Sequence, residues 1–177
     1  MTSLNTNLYL LLENLIFLVL ANSFFVVVGW AWRNAKPMRF PEPIPGWFKI
    51  WFGTVQVVGV VLPLLAMLLW GVWWGNSSVL TVFVWYFVIL GLQILSESVT
   101  LKQFQSVVWV MVPYIYLPYR IWQLYEGLQL LSPESKLIWV RHLLLVEIVL
   151  WSANYALDVT QLPRLFRWEV RENRDIS

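Results

Sequence analysis

Residues 47–95 read WFKIWFGTVQVVGVVLPLLAMLLWGVWWGNSSVLTVFVWYFVILGLQIL, with Lys49 as the single charge. Two apolar runs, 47–74 and 79–95, flank the short polar connection Gly75-Asn76-Ser77-Ser78. A helix needs about 17–25 largely apolar residues to cross the hydrocarbon of a bilayer. Each run meets that length, and the short connection predicts a tight antiparallel hairpin of two membrane spans, with Pro63 inside the first.

The rest of the chain extends the same reading. Of 177 residues, 59% are hydrophobic and 12% charged, and the mean hydropathy is +0.66, whereas soluble domains carry about 25% charged residues. The 13 Trp fit a chain whose aromatic residues gather where helices meet headgroups. The N-terminal stretch MTSLNTNLYLLLENLIFLVLANSFF lacks a basic start, and Glu13 and Asn14 interrupt it; it reads as a retained first span and not as a cleaved signal peptide. Spans are expected at 8–32, 47–74, 79–95, 104–122 and 137–157, in a single all-α membrane domain with an interfacial basic tail over 162–177. Pro113 and Pro118 each remove a helix hydrogen bond, so the fourth span is either kinked or re-entrant; a re-entrant segment would leave four crossings.

Charge placement orients the chain. Arg33, Lys36, Arg39, Lys49, Lys102, Arg164, Arg167, Arg171 and Arg174 are nine of the 12 basic residues. Five spans put all nine on one side, which the positive-inside rule makes cytoplasmic. The N-terminus is then outside and the C-terminus inside, with Arg120, Lys136 and Arg141 outside. Four crossings would separate the two basic groups. Plasma, thylakoid and organellar membranes are not distinguished. The first loop, with Pro37, Pro41, Pro43 and Pro45, reads as a stiff extended connector. The tail interleaves Leu162, Leu165, Phe166 and Trp168 with arginines, a pattern suited to an anionic lipid surface.

Polar residues within spans are the informative ones, because lipid makes them costly. Glu147, Trp151, Asn154 and Asp158 fall on one face of the fifth span, and Tyr86, Gln93, Glu97 and Thr100 on one face of the third. Gln56 enters the second span, and Gln105 and Ser106 open the fourth, at the level of Gln93, Glu97, Asn154 and Asp158. The expectation is an interior polar cluster or cavity, with ordinary interhelical hydrogen bonding as the plainer account. Glu147 lies deepest and needs a partner, a proton or water. Asn22, near the middle of the first span, is expected to bond a neighbouring helix. Trp85, Trp109, Trp122 and Trp151 sit away from the expected boundaries, where they would pack or line an apolar cavity.

His142, the sole histidine, is a candidate axial ligand for a tetrapyrrole metal; an interfacial histidine is the plainer reading. A Glu-x-x-His metal pair is missing, and no Cys is present, which excludes disulfides, thiolate metal sites and cysteine nucleophiles. No phosphate-binding loop, nucleophile elbow, zinc-protease or dinucleotide motif occurs, so no catalytic residue is assigned. The basic residues are too few and too tied to helix ends for nucleic-acid binding.

Five helices, this length, the Trp content and Pro45-Gly46-Trp47 opening the second span resemble the tryptophan-rich sensory protein family. That resemblance implies a binder of porphyrins or other apolar ligands. The third span, VLTVFVWYFVILGLQIL, departs from the Trp- and Asn-containing stretch of that family, and no site residue is carried over. The small, loop-poor design also resembles accessory or assembly proteins of bioenergetic membranes. The leading expectation is therefore a non-catalytic accessory, scaffold or assembly factor of a membrane protein complex, embedded in the lipid bilayer. A carrier of an apolar ligand or pigment such as a tetrapyrrole comes next, and a small proton-coupled transporter using Glu147, Glu97 and Asp158 third. A membrane enzyme acting on lipid has no motif behind it.

Overall fold

The structure is a computed structural model that describes residues 3–31, 46–104, 108–131 and 135–163. Among these the regular elements are all helical. Helix α1 is Ser3–Ala31. Helix α2, Gly46–Trp73, is α-helical except for two wide π-helical stretches, Val57–Val61 and Met67–Trp73. Helices α3, α4 and α5 are Ser77–Phe104, Val108–Leu130 and Ile138–Val159, the last preceded by the 3₁₀ turn Ser135–Leu137.

Four of these stretches, Leu8–Ala31, Gly46–Trp73, Ser77–Lys102 and Ile138–Val159, are long and apolar enough to cross a membrane. Their large apolar side chains are widely exposed: Ile16, Val19 and Leu20 on α1, Ile50 and Val72 on α2, Ile94 and Leu95 on α3, Val149 on α5. Soluble proteins do not leave such continuous apolar surface open. The chain is an all-α, multi-pass integral membrane protein.

Helix α4 differs from its sequence expectation in extent, beginning at Val108 and ending at Leu130 where 104–122 was expected. Helical periodicity continues through Ile121, Leu124 and Leu128, and Leu124 and Gly127 are buried. The helix runs unbroken through Pro113 and Pro118, so the backbone does not reverse there as a re-entrant segment would. It is less apolar than its neighbours because it carries Arg120, Gln123, Glu126 and Gln129, and Arg120 and Gln123 are packed away from the surface. The proline-rich loop, Gln105, Ser106 and the basic tail beyond residue 163 lie outside the described residues.

The α2–α3 connection is built as its residues require. Gly75 takes a left-handed φ of 68°, which suits a residue without Cβ. The Asn76 side chain then accepts a hydrogen bond from the Val79 N–H at 3.0 Å, capping α3 in the usual N-cap manner. Close approach follows at once: a Cβ on Gly71 would lie 3.1 Å from the Leu80 Cα.

The chain forms two compact units. The first comprises Met1–Arg39, Leu92–Tyr116 and Asn154–Ser177. Within it Phe17 meets Tyr116 edge-on at 5.2 Å, and Phe25 stacks with the same ring at 6.4 Å. Helix α1 buries Asn14, Ala21 and Phe25, a narrow stripe at helical spacing. Asn22 lies off that stripe. It is exposed and donates to the Leu18 carbonyl of its own helix at 2.8 Å, contrary to the expected bond to a neighbour. Ser23 and Ser98 are satisfied in the same way, since the backbone four residues back is always within reach.

The second unit comprises Phe40–Gly91 and Leu117–Ala153. Its core is one face of each helix: Gly59, Pro63 and Ala66 from α2, Val79, Phe83 and Tyr86 from α3, Leu117, Arg120 and Leu124 from α4, Leu144, Glu147 and Trp151 from α5. Helices α3 and α4 close onto each other at Gly127, where a Cβ would lie 2.7 Å from the Val82 Cγ1. Overpacking of this kind typically costs about 1–3 kcal/mol. Gly127→Ala is therefore expected to lower stability by about that amount. Gly91→Ala meets nothing within 4 Å and is expected to lower it not at all, as read by thermal unfolding in detergent.

Candidate functional site

The site grows from a backbone defect. Pro63 has no N–H, so it leaves without its α-helical donor the carbonyl four residues earlier, that of Gly59. The turn around Gly59 is π-helical, and wide turns of this type often accompany functional positions. The Tyr86 hydroxyl on α3 donates to the Gly59 carbonyl at 2.5 Å. No water is at hand in a membrane interior to replace a missing donor, and the phenol gives this carbonyl a partner from a second helix.

The tyrosine oxygen is in turn an acceptor. The Trp151 indole N–H lies 3.0 Å from it and 3.0 Å from the Glu147 Oε2, one donor shared between two oxygens. Tyr86 and Glu147 Oε2 are 3.4 Å apart. Glu147 and Trp151 sit one turn apart on α5, so both reach the same point. Trp151 fits only because Gly59 has no side chain: a Cβ there would lie 2.7 Å from the indole Cζ2.

Arg120 completes the group from α4. Its guanidinium carbon lies 4.3 Å from the Trp151 ring centroid and 5.7 Å from that of Tyr86. A cation over an aromatic face is attracted by the ring quadrupole, by about 2 kcal/mol or more when desolvated. Arg120 and Glu147 are both 0% exposed. Ionisable groups buried in a membrane protein are rare and mark function by default.

The polar residues of the first unit make smaller, local arrangements. Gln93 donates to Glu97 Oε1 at 2.8 Å, and Asn154 meets Asp158 Oδ2 at 3.5 Å. The Tyr114 hydroxyl donates to the Asp158 backbone carbonyl, and Tyr116 and Ser96 share a hydroxyl–hydroxyl bond of 3.0 Å. The expected α5 stripe thus divides: Glu147 and Trp151 join Tyr86 in the second unit, whereas Asn154 and Asp158 serve the first. Gln56 is exposed and outside the cluster, because the helical turn that buries Val55 and Gly59 points it away. His142 is exposed too, with an edge contact to Trp139 at 6.1 Å. Of the deep tryptophans, Trp151 is buried, Trp85 and Trp109 are half-buried and Trp122 is exposed. Among the described residues no group of three or more His, Asp or Glu could hold a metal ion.

Two members escape sequence reading. Arg120, expected outside the membrane near the end of a span, lies at the middle of α4 and is fully buried. Gly59 looks like a small packing residue; the signal for its role is Pro63, four residues on. No protein-family model, curated protein or solved structure matches this chain.

Tyr86→Phe keeps the ring but removes the donor to the Gly59 carbonyl and one acceptor of the Trp151 N–H. It is expected to destabilise the protein by about 1–3 kcal/mol, the cost of an unmade buried hydrogen bond. Trp151→Phe should couple to it by about 0.5 kcal/mol or more in a double-mutant cycle, measured by unfolding in detergent. Additive effects would show that the two side chains act independently.

Proposed function

We propose that this protein is a non-catalytic accessory, scaffold or assembly factor of a larger membrane complex. The observation that carries this reading is the close fit of Gly59 against Trp151, with a Cβ position 2.7 Å from the indole. An apolar pigment held by Trp151 would need the place that the Gly59 backbone occupies. Tyr86, Trp151 and Glu147 bond one another and the Gly59 carbonyl, and Arg120 lies over the two rings, joining α2, α3, α4 and α5 around one point. What remains for recognition is the apolar outer surface of the helices, which suits lipid and the helices of another membrane protein. Small residues and van der Waals fit drive such helix association in lipid.

The complete burial of Glu147 supports a second reading, a small proton-coupled transporter. Under either reading the basic residues favour the N-terminus outside and the C-terminus in the cytoplasm or its equivalent. Gentle extraction from native membranes, with an absorption spectrum taken of the eluate, separates the possibilities. The protein is expected to migrate with a larger complex and to contribute no visible absorption of its own after separation from its partners. A lone, colourless monomer would remove the accessory reading, and a bound chromophore would replace it with a pigment carrier.

A further inference from the structure

We propose that Glu147 is a proton-binding site, holding a proton on Oε1 inside the second unit. The argument is the distribution of its hydrogen bonds. Both polar contacts of the carboxyl fall on Oε2, from the Trp151 N–H at 3.0 Å and the Tyr86 hydroxyl at 3.4 Å. Oε1 is buried and has no hydrogen-bond partner among the described residues. A carboxylate spreads its charge over two equivalent oxygens and needs donors on both. A neutral carboxylic acid is asymmetric: its carbonyl oxygen accepts, and its hydroxyl donates. The two donors on Oε2 match the carbonyl of the acid, and a proton on Oε1 leaves one neutral O–H without an acceptor among the described residues. Stranding half of an anion in a lipid-buried interior is also far costlier than stranding a hydroxyl.

The surroundings make the site reversible. The group faces Tyr86 from α3, Arg120 from α4, and from α2 the uncharged Gly59 carbonyl; Trp151 is its neighbour on α5. With Glu147 neutral, the Arg120 charge rests on the faces of the Trp151 and Tyr86 rings. When the O–H bond breaks, the proton leaves to solvent and the electron pair stays on the carboxylate. That carboxylate then shares the Trp151 indole with the guanidinium, so charge is balanced within the cluster. The shared tyrosine couples the event to the backbone of α2, because its single O–H is divided between the Gly59 carbonyl and Glu147. The proposal is independent of whether the chain joins a larger complex.

Infrared difference spectra of the full-length protein in phosphatidylcholine vesicles test it. At neutral pH, wild type minus Glu147→Gln should show a protonated-carboxyl C=O band that moves to lower frequency in D2O. Raising the pH should convert that band into carboxylate stretches. If the glutamine variant does not fold, Glu147→Asp should shift the band without removing it. Only carboxylate bands in the neutral difference spectrum, or a carboxyl band that neither variant alters, would overturn the assignment.

Discussion

Hydrocarbon holds no water to replace a lost backbone donor, and Pro63 takes from the Gly59 carbonyl the N–H that an α-helix would offer it. The Tyr86 hydroxyl supplies the missing bond, and the other members of the cluster are placed by that one contact. A tyrosine fixed there offers its own oxygen to Trp151. The indole fixed there presents its N–H to Glu147 and its face to Arg120. A local weakness in one helix thereby becomes the point at which four helices meet. The absence of a side chain at Gly59 is part of the same arrangement, since it lets the indole come close enough to share its donor.

This also explains how a fully buried arginine is tolerated. A guanidinium is always charged and more weakly hydrated than an ammonium, and it lies flat on aromatic rings. Lysine at position 120 would keep the charge and lose the planar stacking. The first unit uses milder means: amide–carboxylate pairs one helical turn apart, and tyrosine hydroxyls that reach Ser96 and the Asp158 backbone. Side chains that face lipid, such as Asn22 and Ser98, return their hydrogen bonds to their own helix.

Much of the architecture was legible in the amino-acid order, because apolar length alone specifies a span. The hairpin of α2 and α3 followed from four polar residues between two long apolar runs. The association of Tyr86, Glu147 and Trp151 was only half legible: helical spacing put Glu147 and Trp151 on one face, but no pattern says which helix faces them. Gln56 was grouped by depth, and depth does not fix the direction of a side chain. Arg120 was misplaced for a related reason. A basic residue near the expected end of a span ordinarily reaches for headgroups, and only the continuation of α4 to Leu130 puts this one in the interior. The lost donor at Gly59 was available by counting back four from Pro63; the residue that replaces it was not.

The two wide turns of α2 bear on how this gene can vary. A π-helical stretch absorbs a surplus residue within an otherwise regular helix. Deleting one residue from 57–61 would leave an apolar segment still long enough to cross the bilayer. It would also let the wide turn close to α-helical width, so that Gly71 keeps its place against the Leu80 backbone. A residue lost from the regular turns over 46–56 has no such slack, and would rotate the two sides of the deletion against each other by about 100°, the angle per residue of an α-helix. Hydropathy would register neither change. Natural variants of this helix should accordingly change in length at the wide turns before they do so in the regular ones.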